Sequence, residues 1–538
     1  MDDRQDGDVR EAINAPAGRA VRLGQVTAVM ALSFLLRLGL GLLQPPEADE
    51  ATLGVAALRL LHGHLITMES NAHYLGAAGV YIVAPFVAVL GPTTLALRLP
   101  MSLLGAVTVL LMYALGRSLW GRHVDGLAAA GLAAVFPLFA VLFTVRSQWA
   151  YGEVVPLEAA LLLLTVRIGW RGRRKARDWC LLGLIGGVAL WTTPLLAVVI
   201  IPCAAALVLR GPVMGWRSLG RGAALALVGA VVGLPPWLAY NASHQWGSLT
   251  GIPRQRTGIR HAVHEVLVSA LPIFAGSQRS CAPVRTIPPE LAAGLVLLLL
   301  MGAALTRREA LWGALHGRWG ALEPVDLILI IAPISIASVT IGSFNAVSCE
   351  PRYLLPLTAP LVVSGVVALR HWRGVTIVML AAWLMVETVT TVRTPRLDNV
   401  TVAGPVVPAD VASLVPALEE QRLQAIYADY WLSRPLLFAS SERLPMAEYN
   451  GYVGFPGLQR AADEAKHPSW LFVQGSPDIA RLEQACRNRG ITFRRVQLGS
   501  LVLDADLSAP LRPADLGVSV DPSKLPLVPR TEDDGGQP

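Results

Sequence analysis

Long apolar runs separated by short polar or basic segments are the dominant pattern along this chain. A helix needs about 20 apolar residues to cross the hydrocarbon core of a bilayer, and runs close to that length recur through most of the sequence. We therefore predict eleven membrane-spanning helices. The predicted spans are residues 24–43, 97–116, 126–144, 153–169, 179–194, 195–210, 222–240, 289–306, 325–343, 352–369 and 375–392.

Basic residues concentrate in the short segments between these spans, and this indicates an orientation. Cytoplasmic loops are enriched in Arg and Lys, so we assign the basic segments to the cytoplasm. All of them lie on one side only if the apolar run 74–91, which contains Pro85, does not cross the membrane. We predict that this run is a juxtamembrane helix at the outer leaflet. The N-terminus is then cytoplasmic and the C-terminus outside. The basic segments contain Arg22, Arg117, Arg122, Arg167, Arg171, Arg173, Arg174, Lys175, Arg177, Arg210, Arg217, Arg221, Arg307, Arg308, Arg370 and Arg373.

Four parts follow from this pattern. They are a disordered cytoplasmic tail (1–22), a transmembrane domain (23–393) with outer loops 44–97 and 241–288, an extracytoplasmic α/β domain (394–507) and a disordered tail (508–538). Strand-like composition in the third part covers 423–431, 469–475, 491–498 and 500–506. A helix is predicted between them, with Ser476 as its N-cap and Gly490 at its C-terminal end.

Composition agrees with a polytopic membrane protein. Of 538 residues, 53% are hydrophobic and 15% charged, and the mean hydropathy is +0.50, outside the range of soluble proteins. The net charge of +7 does not indicate a nucleic-acid partner, because the basic residues lie in short loops beside the spans. Membrane lipids are the expected partners. The sequence contains no Gly-rich phosphate loop, which disfavours a soluble nucleotide ligand.

Charged residues at two depths suggest two classes of function. Asp49 and Glu50 follow the first span directly, at one membrane face, whereas Arg37, Glu158 and Glu387 lie within predicted spans. Intramembrane charges along a path are typical of a transporter or lipid flippase, which is the alternative interpretation. We favour an enzyme, because the most distinct motifs lie at one face. No internal repeat is evident, and this weakens a transporter built from inverted halves.

Several motifs, in this order along the chain, resemble those of one enzyme superfamily. They are DEATLGVAALRLLHGH after the first span, RLPMSLLGAVTVLLMYALGRSLWGR, FPLFAVLFTVRSQW, PRYLLPLTAP and the later YADYW. Together they resemble the GT-C glycosyltransferases, an α-helical polytopic membrane fold, and within it the branch of bacterial aminoarabinose transferases and protein O-mannosyltransferases. The resemblance covers roughly residues 25–370 and the YADYW region.

The resemblance implies a glycosyltransferase of the bacterial plasma membrane. Such an enzyme moves a sugar from a polyprenyl-phosphate carrier, with inversion, to a glycan, lipid or protein acceptor on the outer face. The family's general base is the acidic residue after the first span, which predicts Asp49 as the base and Glu50 as a residue that orients it or the acceptor. A carboxylate there can take the proton of the attacking hydroxyl. The alternative is that one or both cap a helix starting at Ala51, a role compatible with catalysis.

Cationic side chains near the outer surface are needed for the lipid phosphate. Arg352, beside Tyr353 at the start of a span, is the first candidate; its alternative role is an interfacial anchor. Arg37 is the second, with a salt bridge to Glu158 as its alternative. The remaining substrate-binding candidates are Arg146 and Glu153, in a short second outer loop, VRSQWAYGE, at residues 145–153. Glu153 matches an acidic residue of the family, or is a helix N-terminal charge.

Two further expectations concern a metal and a disulfide. Glu69 resembles a metal-binding position of the aminoarabinose branch, but the Lys-Pro-Pro run that follows it there is replaced here by Asn71, Ala72 and His73. Whether a divalent metal is bound is thus left open. Cys281 and Cys349 are both predicted in outer loops, an oxidising setting, and a disulfide between them is our hypothesis.

Overall fold

Helices account for most of the chain. The computed structural model describes residues 16–43, 45–69, 72–250, 258–277, 288–342, 351–393, 411–450 and 455–517. The protein is a polytopic helical membrane protein with a small C-terminal α/β domain, as predicted. Cys281 and Cys349 lie outside the described residues, so the proposed disulfide stays a hypothesis.

The described residues of the first half of the transmembrane domain, up to residue 250, form thirteen helices of very different lengths. They are α1 Pro16–Leu42, α2 Ala48–Leu61, α3 Ala78–Leu90, α4 Thr94–Trp120, α5 His123–Val135, α6 Leu138–Thr144, α7 Val154–Gly169, α8 Ala176–Thr192, α9 Ala197–Leu209, α10 Gly211–Met214, α11 Trp216–Gly233, α12 Pro235–Ser243 and α13 Gly247–Thr250.

The second half contains longer spans joined by short helical turns. They are α14 Ile259–Glu265, a π-helical turn Val266–Ala270, α15 Leu271–Phe274, α16 Pro289–Thr306, α17 Arg308–Leu315, α18 Pro324–Gly342, a 3-10 helix Arg352–Leu357, α19 Thr358–His371 and α20 Arg373–Arg393.

Each predicted span coincides with a helix or a bent pair of helices. Among the described residues, five helices are long and apolar enough to cross a membrane, or up to seven if each bent pair counts as one span, by length and composition alone. The count of eleven crossings therefore stays a prediction. The first helix begins at Pro16, seven residues before the predicted start of the transmembrane domain.

The run 74–91 forms the short helix α3, in keeping with its prediction as a juxtamembrane element. Its 13 residues rise about 20 Å, which is less than the thickness of about 30 Å that a span must cross. Which side of the membrane it lies on stays a prediction.

Two predicted spans are bent. The pair α5 and α6 turns by 66° around Phe136 and Pro137, and the pair α11 and α12 turns by 64° at Leu234 and Pro235. Proline lacks the N–H that would continue the helical ladder, so each bend lies where the ladder is interrupted. A bend of this kind leaves backbone carbonyls without helical partners.

The C-terminal domain is built on a five-stranded mixed sheet. Its order is β2-β1-β3-β5-β4, with β2, β1 and β3 parallel and the pairs β3–β5 and β5–β4 antiparallel. Its elements are a 3-10 turn Val411–Leu414, α21 Val415–Glu419, β1 Ile426–Ala428, α22 Tyr430–Ala439, β2 Met446–Glu448, α23 Pro456–Glu464, β3 Ser469–Val473, α24 Pro477–Arg489, β4 Arg494–Leu498, β5 Leu501–Ala505 and a 3-10 turn Pro513–Leu516.

Four of these strands and helix α24 were predicted. The Ser476 side chain caps α24 by accepting a hydrogen bond from the N–H of Asp478, and Gly490 ends the helix in the left-handed conformation. The short strand β2 was missed. The domain also extends to about residue 517 rather than 507, since Leu511 is fully buried and Asp515 is ion-paired with Arg489 at 2.8 Å. We therefore place the domain's end ten residues further along.

The two faces of the sheet contact different partners. Ile426, Leu471 and Leu503 on one face belong to the same continuous apolar core as the transmembrane domain. Tyr427 and Trp470 on the other face belong to a core of the C-terminal domain itself. The alternation follows from the period of two along a strand. The domain is therefore packed onto the membrane domain.

Candidate active site

The loop after the first span is held by buried charges. Glu50, on the first turn of α2, is fully buried and ion-paired with Arg98 near the start of α4; Oε1 and Nη1 are 2.7 Å apart. The same Oε1 accepts a hydrogen bond from the N–H of Ser147 at 2.8 Å. Glu50 thus joins α2 to α4 and to the second predicted outer loop.

The N-cap of α2 is neither Asp49 nor Glu50, the two residues considered as caps in the sequence analysis. The helix begins at Ala48, not Ala51, and its N-cap residue is Glu47. The Glu50 carboxylate accepts a hydrogen bond from the N–H of Glu47 at 3.4 Å. Arg146 donates to both carboxylate oxygens of Glu47 at 3.2 Å. Asp49 is therefore a first-turn residue and not the cap.

Asp49 faces the C-terminal domain. Its carboxylate is half-buried, and Oδ1 accepts a hydrogen bond of 2.8 Å from the hydroxyl of Tyr430, the first residue of α22. A carboxylate in the first turn of a helix is also favoured by the helix dipole. The two adjacent carboxylates therefore have different surroundings. Glu50 is buried within the protein, and Asp49 contacts the first residue of α22.

Glu69 lies beside Asp49. It belongs to the connection between α2 and α3, where its N–H donates to the carbonyl of Leu75 at 2.9 Å. The pKa of the Glu69 carboxyl is raised to about 8, first by burial and then by the negative charge of Asp49, while the positive charges of Arg352 and Arg434 lower it. Two carboxyl groups and two guanidinium groups therefore share one site.

Arg352 lies against a wall of tyrosines. This half-buried residue opens the 3-10 helix before α19, and its guanidinium lies over the rings of Tyr151 and Tyr353, 5.0 and 5.6 Å from their centroids. The ring centroid of Tyr151 lies 6.2 Å from that of Tyr353, and burial raises the pKa of both Tyr74 and Tyr151. The predicted residues Arg352 and Tyr353 are thus next to the Asp49–Glu69 pair.

Glu153 is close to the same helices but has a different setting. Its side chain is buried. Its Oε1 faces the backbone of Gly79 on the first turn of α3, where an added Cβ would lie 2.5 Å away. Glu153 is therefore packed against α3, and its role in substrate binding stays a prediction.

Arg37 has protein partners at the bend between α5 and α6. It donates to the carbonyls of Ala133 and Val141 at 3.2 Å, and to the hydroxyls of Ser33 and Thr144 at 3.2 and 3.1 Å. These bonds satisfy carbonyls next to the bend. Among the described residues, no ion pair joins Arg37 to Glu158. Substrate binding by Arg37 stays a prediction, and the side chain of Glu387 lies outside the description.

Sequence reasoning missed two residues of this site, Tyr430 and Arg434. Both are buried on α22, and Arg434 is ion-paired with Glu448 at 2.8 Å. The available signals were the YADYW motif and an arginine in the otherwise apolar helix YWLSRPLLFA. A buried arginine requires a partner, and that requirement could have marked the helix as part of a site.

Metal binding by Glu69, which the family resemblance suggests, stays a prediction. Among the residues that the structure describes, no group of three His, Cys, Asp or Glu side chains comes together. Glu69 has Asp49 as its acidic neighbour, and the other charges acting on it are those of two arginines. The positive charges of these two arginines oppose the binding of a metal cation beside Glu69.

Replacing Glu69 by Gln should change how stability depends on pH. The ordinary pKa of a Glu carboxyl is 4.5 and the folded value is about 8. Between these values the unfolded chain releases a proton that the folded protein keeps, so folding stability falls as pH rises, and the fall is complete above about pH 8. Gln cannot ionise, so this loss disappears.

The measurement is the thermal unfolding midpoint of purified protein, at about pH 5 and about pH 9. We expect Glu69→Gln to gain stability relative to wild type as pH increases. The control is Glu309→Gln, at an exposed position on α17. An equal pH dependence in wild type and Glu69→Gln would refute a protonated Glu69.

Comparisons with known proteins agree with this architecture. The family described as dolichyl-phosphate-mannose-protein mannosyltransferase matches residues 76–240, a segment that begins after both Asp49 and Glu69. No curated protein sequence matches the chain.

Two solved structures are similar over most of the chain. ArnT from Cupriavidus metallidurans bound to undecaprenyl phosphate has a TM-score of 0.55 and 15% identity, and the match covers 93% of this chain and 100% of that one. The archaeal oligosaccharyltransferase AglB from Archaeoglobus fulgidus, in complex with an inhibitory peptide and a dolichol-phosphate, has a TM-score of 0.51 and 12% identity, over 85% and 70%. At these identities the likeness establishes the fold.

Proposed function

We propose that this chain, a membrane protein with the GT-C glycosyltransferase fold, transfers a sugar from a polyprenyl-phosphate carrier to an acceptor on the outer face of the membrane. The acceptor is a glycan, a lipid or a protein. The observation that carries the proposal is the grouping of three charged residues directly after the first span. Asp49 lies on the first turn of α2, and the charges of Asp49 and Arg352 both act on Glu69.

A base and a cation beside each other suit transfer from a lipid phosphate. The acceptor hydroxyl attacks the anomeric carbon and a new C–O bond forms. The bond from that carbon to the phosphate oxygen breaks, and its electron pair leaves with the polyprenyl phosphate. The hydroxyl proton passes to the carboxylate of Asp49, which acts as general base. A single displacement inverts the configuration at the anomeric carbon.

The neighbouring groups divide the remaining tasks. Arg352 supplies positive charge for the phosphate, as arginine does in bidentate phosphate contacts. Glu69 keeps its proton near neutral pH, as its raised pKa indicates. As a carboxylic acid beside Asp49, it can donate a hydrogen bond.

The lipid part of the donor is supported by the similar structures. One contains undecaprenyl phosphate and the other dolichol-phosphate, both polyprenyl phosphates. We further propose that the N-terminus is cytoplasmic and that α2, α3 and the C-terminal domain lie outside the plasma membrane of a bacterium. The basic segments between spans support this orientation.

The test is sugar transfer by the purified protein in liposomes. Radiolabelled polyprenyl-phosphate sugars are supplied one at a time with a membrane extract as acceptor, and nucleotide sugars with the same sugars serve as matched controls. We expect transfer from a lipid-linked donor and none from nucleotide sugars. No transfer from any lipid-linked donor, or equal transfer from a nucleotide sugar, would disprove the proposed function.

A further inference from the structure

The C-terminal domain reaches the active site through helix α22. This helix packs closely against α2: a Cβ added to Gly54 would lie 2.6 Å from the ring of Phe438. Any larger residue at position 54 would push the two helices apart. A helix position without a side chain allows this close approach, which brings the start of α22 next to the start of α2.

Contacts at the other end of α2 hold the two helices in this arrangement. Arg59 forms an ion pair with Glu442, with Nη2 and Nε at 2.9 and 3.0 Å from Oε2. The Arg59 guanidinium also lies 4.0 Å from the ring centroid of Phe455, and the Arg434 guanidinium lies 4.3 Å from the same ring. These contacts leave α22 little freedom to slide along α2.

Tyr430 begins α22 at the edge of the sheet where the parallel strands end. It follows β1 after one residue, Asp429, whose side chain caps the helix by accepting from the N–H of Trp431 at 2.8 Å. In sheets of this kind, residues that act on ligands lie beyond the carboxyl ends of the strands. That edge of the C-terminal sheet therefore faces Asp49.

The phenol of Tyr430 has a fixed position and a fixed protonation state. The residue is buried, and the Arg434 guanidinium lies 5.4 Å from its ring centroid. Burial first, and then the negative charge of Asp49, raises its pKa well above the ordinary value for tyrosine. The hydroxyl therefore keeps its proton and donates it in the 2.8 Å hydrogen bond to Oδ1 of Asp49.

We propose that the C-terminal domain completes the active site and that Tyr430 is the positioning residue for Asp49. The hydrogen bond occupies Oδ1 and orients the carboxylate, so that Oδ2 takes the proton of the acceptor hydroxyl. The proposal rests on the proposed function. It assigns to the domain a part in catalysis in addition to any contact with the acceptor.

The first test is the kinetics of Tyr430→Phe with the donor established for wild type. Phenylalanine keeps the ring but removes the bond to Asp49. We expect kcat to fall at least tenfold, since displacing a catalytic group by about 1 Å costs about a hundredfold. The KM for the donor should stay within about twofold of wild type, because the proposed contact to the donor phosphate is made by Arg352 and not by Tyr430.

Tyr449→Phe is the matched control. Its hydroxyl donates to Oδ2 of Asp478, also at 2.8 Å, within the C-terminal domain. This variant loses an equivalent phenol–carboxylate bond, and it should keep the wild-type kcat. A wild-type kcat in Tyr430→Phe, or an equal fall in kcat in both variants, would overturn the positioning role.

A second test does not depend on activity. Thermal unfolding midpoints of wild type, Asp49→Ala, Tyr430→Phe and the double variant form a double-mutant cycle. We expect the double variant to lose less than the sum of the two single losses, because one hydrogen bond is removed in both. Additive losses would overturn the contact. Absence of transfer by wild type would instead disprove the proposed function, and with it the positioning role.

Discussion

Asp49→Asn is expected to lower the rate of sugar transfer by about 10²–10⁴-fold, the usual contribution of a general base. Asparagine has the size of aspartate, and its carbonyl oxygen still accepts a hydrogen bond from Tyr430. It has no basic oxygen that can take the proton of the acceptor hydroxyl. The fold should therefore persist while catalysis is lost, and KM for the donor should change little.

The measurement is kcat and KM in reconstituted protein, together with the thermal unfolding midpoint. Asp478→Asn is the matched control, because Asp478 also accepts a tyrosine hydroxyl at 2.8 Å but lies in the C-terminal domain away from Asp49. Full activity in Asp49→Asn would remove Asp49 as the base. Equal loss in both variants would point to a general effect on the domain.

The second large effect concerns stability rather than chemistry. Glu50→Gln leaves the charge of Arg98 buried without its carboxylate, and removing one member of a buried ion pair costs about 3–5 kcal/mol. Both side chains are fully inaccessible to solvent, so water cannot replace the lost partner. We expect a large decrease in the free energy of unfolding, measured by chemical unfolding in detergent micelles.

A double variant distinguishes loss of the ion pair from damage to α2. Glu50→Gln with Arg98→Met removes both charges and should recover part of the lost stability, since replacing both members of a buried pair is often neutral. Glu419→Gln, which breaks the exposed pair with Arg443, should cost at most about 1 kcal/mol. Wild-type stability in Glu50→Gln would contradict a structural role for Glu50.

These two effects concern adjacent carboxylates, for which the family resemblance predicts Asp49 as the base and Glu50 as a residue that orients it or the acceptor. Both follow the first span directly. Glu50 accepts from the N–H of Ser147, 97 residues away, and is paired with Arg98. Its burial between α2 and α4 gives Glu50 structural contacts, whereas the Asp49 carboxylate contacts Tyr430. The orienting role of Glu50 stays a prediction.

The sequence by itself determined the spans and helix ends that depend only on residues close together in the chain. Spans depend on the number of consecutive apolar residues, so their positions followed from hydropathy. Helix α24 was predicted because Ser476 and Gly490 act on their own helix ends. The motif resemblance was confirmed by the GT-C fold of the chain, because the motifs follow the order of the spans.

Tertiary structure alone decided the contacts between distant parts of the chain. Tyr430 and Asp49 are 381 residues apart, and their hydrogen bond exists only because α22 packs against α2. The bonds of Arg37 depend on where the bend between α5 and α6 places two carbonyls. Hydropathy and capping depend on residues within a short segment of the chain. These contacts depend instead on how whole helices pack against each other, which cannot be read from any short segment of the sequence.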